Sequence, residues 1–176
     1  MKRKIATIMI GLMLASGGQA FATSQDLGTT TENIIESTNA VEGDVDVKVP
    51  NKAIFKEERE ALKLKLEENK ALKDQIQAKK QEIKSIIQAA KGDKEKLAQI
   101  KTILQGKKEE LKAINDNLKA LNDQAKAINE QIKSLKGSKD PAIEALLKQL
   151  AELRGQRTSL LNEKLQKLDE IVKALS

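Results

Sequence analysis

Serine, lysine and carboxylate side chains are the groups in this sequence that could do chemistry, because it contains no histidine and no cysteine. Nucleophilic catalysis would then need a serine activated by a nearby lysine, but Ser85, Ser134 and Ser159 have no lysine in an S-x-x-K spacing, and Ser138 lies in a Gly-Ser-Lys stretch typical of a turn. Paired carboxylates can cleave a glycosidic bond, yet after residue 22 only Phe55 is aromatic and could hold a sugar ring. We therefore expect no enzyme activity.

A metal site is also poorly supported. Asp44 and Asp46 match the first two ligands of a calcium loop, but Lys48 stands at the third ligand position and Phe55 at the twelfth. There is no phosphate-binding loop. The sequence predicts neither a metal site nor a cofactor.

The first 22 residues have the layout of a secretory signal peptide. Lys2, Arg3 and Lys4 precede an apolar run at 5–14, and Ala20-Phe21-Ala22 offers small residues at the cleavage positions. Ten apolar residues are about half of the ~20 that span a bilayer, which disfavours the alternative of an uncleaved anchor. We predict cleavage after Ala22, a secreted or cell-envelope location, and no transmembrane segment in the remaining chain.

Residues 23–50 differ from the rest in charge. They carry six acids against one lysine, whereas residues 51–176 carry 28 Lys and Arg against 20 Asp and Glu. The segment is rich in Thr, Ser and Asn, so it predicts an acidic, disordered lead. The alternation of Val45, Val47 and Val49 leaves a short strand at 45–49 as an alternative.

A seven-residue apolar repeat begins at Phe55 and predicts an all-α domain over 51–176, with helices at about 52–91, 94–136 and 141–175. Short connections favour an antiparallel three-helix bundle or coiled coil. The helix-packing seam is predicted to include Leu97, Ile100, Leu104, Leu111, Ile114, Leu118, Leu121, Ile128, Ile132, Leu135, Leu150, Leu153, Leu161, Leu165 and Leu168.

Turn and cap residues divide the helices. Gly92 suits a C-terminal cap and Asp93 an N-cap, and Gly137, Asp140 and Pro141 suit the second break. The repeat keeps its phase through Gly92, however. An extended rod with a helical hairpin at its C-terminal end therefore remains the alternative fold.

The third helix shows two apolar seams rather than one. The first seam contains Ile143, Leu146, Leu150 and Leu153, and the second contains Leu161, Leu165, Leu168, Val172 and Leu175. The shift between them falls at Arg154 to Thr158. We therefore expect a kink or a loosened contact at Gly155.

Residues 112–136 in the second helix nearly repeat every seven residues. Lysines and acids three or four residues apart predict a solvated lattice of ion pairs. Uncharged amides flank the seam, at Asn115, Asn122 and Asn129 on one side and at Asn117, Gln124 and Gln131 on the other. Alanines at 113, 120 and 127 suggest that the second helix is the central one, approached closely by two neighbours.

These features favour an exported structural or interaction protein that binds a protein partner, or itself, through helix faces. Of the 28 basic residues in 51–176, 25 are lysines, which suit loose contact with an anionic envelope polymer or membrane surface rather than specific nucleic-acid recognition.

Another alternative is an ATP-independent envelope chaperone that holds clients on a basic helical cradle. The small, exported, lysine-rich, all-helical chain resembles the Spy-like periplasmic chaperones, although of their L-T-x-x-Q signature only Thr102 to Gln105 comes near. An apolar patch for clients would comprise Leu64, Leu66, Ile87 and Leu147.

Overall fold

The computed structural model describes residues 55–135 and 141–176, and this part of the chain is all-α, as predicted. Its helices are α1 (Lys56–Ala89), α2 (Lys94–Ser134) and α3 (Pro141–Leu175). The signal peptide at 1–22, the lead at 23–50 with its alternative strand at 45–49, and the cap residues Gly137 and Asp140 lie outside the described residues.

A tight turn separates α1 from α2. Gly92 has φ +105°, a backbone conformation that residues with a Cβ rarely adopt. The Asp93 side chain then accepts hydrogen bonds from the backbone N–H groups of Glu95 and Lys96, at 3.1 and 3.0 Å, which satisfies two of the donors left open at the start of α2. The chain therefore turns back here and does not form the alternative rod.

The three helices run up, down and up. Helices α1 and α3 are parallel, because the residue numbers on both helices increase from one contact to the next. These contacts are Leu62 with Arg154, Asn69 with Thr158 and Lys79 with Asp169. Helices α2 and α3 are antiparallel, because residue numbers increase along α2 while they decrease along α3 from one contact to the next. These contacts include Lys107 with Glu170 and Asn115 with Lys164.

Helix α3 is the central helix. It packs closely along both α1 and α2, whereas these two make little close backbone contact with each other in the described part of the chain. The suggestion that α2 is central was wrong, and Ala113, Ala120 and Ala127 are exposed. Close approach occurs instead on the opposite flank of the α2 seam, where Asn115, Asn122 and Asn129 are buried.

The apolar core forms two clusters along the bundle. The larger lies toward the Gly92 turn and takes residues from all three helices, among them Ile83, Leu104 and Leu168. The smaller lies at the other end, around Phe55 and Leu147. Polar side chains separate the two clusters.

Glycine substitutions test the turn and the continuity of α3. An added Cβ at Gly155, inside α3, meets no heavy atom within 4 Å, so Gly155→Ala should raise the free energy of unfolding by about 0.5–1 kcal/mol through helix propensity. Gly92→Ala should lower it by about 1 kcal/mol or more, because alanine is strained at positive φ. Urea denaturation measures both.

Gly106→Ala is the matched control, since Gly106 is also helical with open space beside it. It should behave like Gly155→Ala. A neutral Gly92→Ala variant, or a destabilising Gly155→Ala variant, would contradict the described turn and helix.

Candidate functional site: the buried polar layers and the outer face of α2

The most unusual chemistry of the bundle lies inside it, where polar side chains form two layers. The arginine layer, between the two apolar clusters, consists of Asn69, Asn122, Arg154, Arg157 and Thr158. The lysine layer, within the larger cluster, consists of Lys80, Asn115 and Lys164. All eight side chains are buried.

Hydrogen bonds connect the arginine layer across α1 and α3. Nη1 of Arg154 donates to the Leu62 carbonyl oxygen at 2.6 Å, and Nδ2 of Asn69 donates to the Arg154 carbonyl oxygen at 3.4 Å. The Thr158 hydroxyl donates to Oδ1 of Asn69 at 2.9 Å. Because buried polar groups are costly when unsatisfied, this set of bonds holds α1 and α3 in a single alignment.

The lysine layer connects α2 to α3. Nζ of Lys164 donates to Oδ1 of Asn115 at 2.7 Å. Burial and, to a smaller extent, the nearby positive charge of Lys80 together lower the pKa of Lys164 to about 7. The layer therefore holds a lysine that changes charge near neutral pH inside a packed core.

A continuous heptad explains why these cations are buried. Counting from Ile143 by alternating steps of four and three residues reaches Leu147, Leu150, Arg154, Arg157, Leu161, Lys164, Leu168 and Ile171, all of them buried. The predicted shift between two seams was thus wrong, because three core positions of α3 hold cations that an apolar pattern skips. Helix α3 runs uninterrupted through Gly155.

The amides of α2 also differ from expectation. Asn115, Asn122 and Asn129 were interpreted as polar flanks, but they are buried at 4, 6 and 4% exposure. The sequence did offer a signal, because these asparagines recur every seven residues and each directly follows an apolar residue of the predicted seam. A helix packed on a neighbour often buries three positions per heptad.

The structure places the predicted seam residues in or against the core. Ten are buried, namely Leu97, Ile100, Leu104, Leu111, Ile114, Leu118, Ile132, Leu150, Leu161 and Leu168. Five are half-buried, namely Leu121, Ile128, Leu135, Leu153 and Leu165. Of the patch suggested for clients, Leu64 is 64% exposed and Leu66 is half-buried, but Ile87 and Leu147 are fully enclosed and offer no surface.

The surface of α2 that faces away from the bundle repeats every seven residues, or about 10.5 Å. We call it the outer face of α2; its exposed residues are Lys112, Ala113, Asp116, Asn117, Lys119, Ala120, Asp123, Gln124, Lys126, Ala127, Glu130 and Gln131. Ion pairs form along it, with Lys112 3.5 Å from Asp116 and Lys126 3.6 Å from Asp123. Such exposed pairs stabilise a helix only slightly.

Charged side chains also connect helices at the bundle surface. Lys107 lies 2.9 Å from Glu170, and Lys167 lies 2.9 Å from Glu110. Hydrogen bonding to these carboxylates raises the pKa of both lysines, and the same bonds lower the pKa of Glu110 and Glu170. These partly buried contacts favour the antiparallel pairing of α2 with α3.

Within 55–135 and 141–176, no cluster of three or more acidic side chains is arranged to hold a metal ion. None of the described helices contains an 18-residue stretch apolar enough to cross a bilayer. No protein-family model matches the chain, and neither the curated proteins nor the solved structures provide a match.

Removing the Thr158 hydroxyl tests the arginine layer. Thr158→Val leaves Oδ1 of Asn69 buried without its donor, so the free energy of unfolding should fall by about 1–3 kcal/mol in urea denaturation. Thr102→Val is the matched control, because the Thr102 hydroxyl donates to the Ala98 carbonyl oxygen at an exposed site. Equal losses in the two variants would contradict a buried, bonded Asn69.

Replacing Lys164 tests the lysine layer through pH. Because the folded-state pKa of Lys164 is lowered to about 7, above that pH the unfolded chain binds one more proton than the folded chain. Stability should therefore rise between about pH 7 and 9.5, with a contribution of at most about 1.4 kcal/mol per pH unit from this group.

Lys164→Met should remove that contribution, and the difference in unfolding free energy between wild type and variant, measured across the range, isolates it. Lys126→Met, at an exposed position, should keep the wild-type slope. The proposed titration is excluded when Lys164→Met and wild type show parallel stability curves.

Proposed function

We propose that this protein is an exported, non-enzymatic interaction protein that binds a protein partner, or a second copy of itself, through exposed helix faces. The observation that carries the proposal is the outer face of α2, a regular surface about three heptads long that the bundle leaves uncovered. Bundle packing does not require this repetition, because none of its residues contributes to the core.

Side-chain size on this face suits a partner helix. Ala113, Ala120 and Ala127 are exposed and aligned, so a second helix can approach them without displacing long side chains. Lysines and acidic residues of the same face alternate along the helix beside the row of alanines. A partner with a similar alternation of charges would place acids against lysines along the whole face, and an antiparallel second copy of α2 meets that condition.

Apolar contact contributes little elsewhere on the described surface. Leu64 is the one large hydrophobic side chain that is strongly exposed among the described residues. Binding would therefore depend on polar and charged contacts, which favour specificity and fast association over high affinity.

Two alternatives belong to other classes. An ATP-independent chaperone would use an opening of about 320 Å³ near the Gly92 turn, lined by Ile86, Ile100, Ile103 and Leu175, to accept an apolar side chain of a client. An electrostatic envelope binder would use the lysine excess, and salt would release it.

Adding bulk and charge to the outer face of α2 tests the proposal. Ala120→Glu should weaken association about tenfold or more, because a glutamate separates the two helices and breaks the charge alternation. Ala78→Glu, at an exposed alanine of α1, is the matched control and should have little effect. Light scattering over a concentration series measures self-association, and affinity capture from envelope fractions measures partner binding.

Equal behaviour of Ala120→Glu and Ala78→Glu would contradict this face as the binding surface. A strict monomer that captures no partner, yet prevents a denatured client from aggregating at near-equal molar ratio, would favour the chaperone instead.

A further inference from the structure

An ion pair shows which sides of α2 and α3 adjoin at the surface of the bundle. Lys167 of α3 lies 2.9 Å from Glu110 of α2. Because the two helices are antiparallel and both repeat every seven residues, a step of seven residues forward along α2 and back along α3 reaches neighbouring positions again. Three such steps give Asn117 beside Leu160, Gln124 beside Leu153 and Gln131 beside Leu146. The three amides are exposed and the three leucines are half-buried.

The surface around these pairs contains no charged side chain. Residues three or four positions from the amides and the leucines share their sides of the two helices, and these residues are exposed alanines on α2 and exposed glutamines on α3. We call the whole surface the charge-free face; it consists of Ala113, Asn117, Ala120, Gln124, Ala127 and Gln131 on α2 and of Leu146, Gln149, Leu153, Gln156 and Leu160 on α3. Charged residues make up 33% of the chain, so a face of this size that met only water would carry several of them.

The far border of the charge-free face on α2 is electrostatically balanced. Its acids, Asp116, Asp123 and Glu130, each lie within 3.6 Å of a lysine of the same helix. A second uncharged surface can therefore approach without bringing an unpaired carboxylate of this border out of water.

The chemistry of the charge-free face fits a second copy of the same face. An amide side chain both donates and accepts hydrogen bonds, so a row of amides is complementary to itself. Residues 51–176 carry 28 Lys and Arg against 20 Asp and Glu, so two copies repel each other over most of their surfaces, and least where charges are absent. The half-buried leucines would also lose their remaining contact with water.

The size of the face suffices for a reversible dimer. It extends for about 27 Å along the helices and about 20 Å across them, or roughly 550 Å² on each copy. Two copies would together bury roughly 1,100 Å², which is near the lower limit of specific protein interfaces.

We propose that two copies of this chain associate through the charge-free face, about a two-fold axis that runs across the helices near Gln124 and Leu153. This inference rests on the proposed function, because it selects self-association as the binding mode and adds α3 to the binding surface. In this arrangement each helix lies antiparallel to the same helix of the second copy. The leucine row then meets leucines and the amide row meets amides, whereas an axis along the helices would set leucines against amides.

Paired charge substitutions at exposed positions test this arrangement without changing the core. In it, Gln149 lies opposite Gln156 of the second copy. Gln149→Glu with Gln156→Glu sets carboxylates against each other and should raise the dimer dissociation constant about tenfold or more. Gln149→Glu with Gln156→Lys sets opposite charges against each other and should keep the constant within about threefold of wild type. Light scattering over a concentration series measures both.

A single cysteine tests the position of the axis, since the sequence contains none. The Cα atoms of a disulfide lie within about 7 Å of each other, so Leu153→Cys, beside the axis, should form a covalent dimer on oxidation. Leu64→Cys, at the exposed leucine of α1, is the matched control and should remain mostly monomeric at the same concentration.

A strict monomer, equal dissociation constants of the two double variants, or a Leu153→Cys variant that links no better than Leu64→Cys would each overturn this inference. The proposed function fails by a different result, because it depends on Ala120→Glu. If Ala120→Glu weakens self-association or partner capture while the double glutamate variant has no effect, the outer face of α2 binds without α3. That outcome refutes the inference and leaves the proposed function intact.

Discussion

The alignment of α3 with its two neighbours is the constraint on which the rest of the bundle depends. A core of leucine and isoleucine alone repeats every heptad, so one helix can slide past another by seven residues with little change in buried area. Buried polar contacts remove that freedom, because a slip would leave several of them unsatisfied. Asn69 with Thr158 sets α1 against α3, and Asn115 with Lys164 sets α2 against α3.

This constraint has an energetic cost that shapes the chemistry of the interior. Cations in core positions lose hydration, and apolar replacements of similar volume are often neutral or stabilising. Arg154 recovers part of this loss through the Leu62 carbonyl oxygen, but Lys164 is left with a pKa of about 7. A bundle built in this way is specific in its alignment, and its stability is expected to depend on pH through Lys164. Most of its large apolar side chains are enclosed.

Local sequence signals predicted the helices and much of the apolar core, but not the polar side chains that the core also contains. The all-α class followed from heptads and composition, and Gly92 and Asp93 marked the turn because backbone strain and capping act within a few residues. Burial of Arg154, Arg157 and Lys164 could not be recognised in the same way, since the bonds that allow it come from residues as far as 92 positions away. Because three of its core positions are cationic, the apolar residues of α3 alone look like two seams shifted against each other, although the buried positions form one continuous repeat.

A distance between α1 and α2 tests most directly whether the chain folds back at Gly92 into a closed bundle. The chain has no cysteine, so Lys63→Cys with Lys126→Cys provides two unique, exposed sites for spin labels. Pulsed electron spin resonance should give a separation of about 20–35 Å, as expected for helices packed 8–10 Å apart with labels on their surfaces. A separation of about 95 Å, the length of 63 residues of uninterrupted helix, would contradict the bundle and all that follows from it.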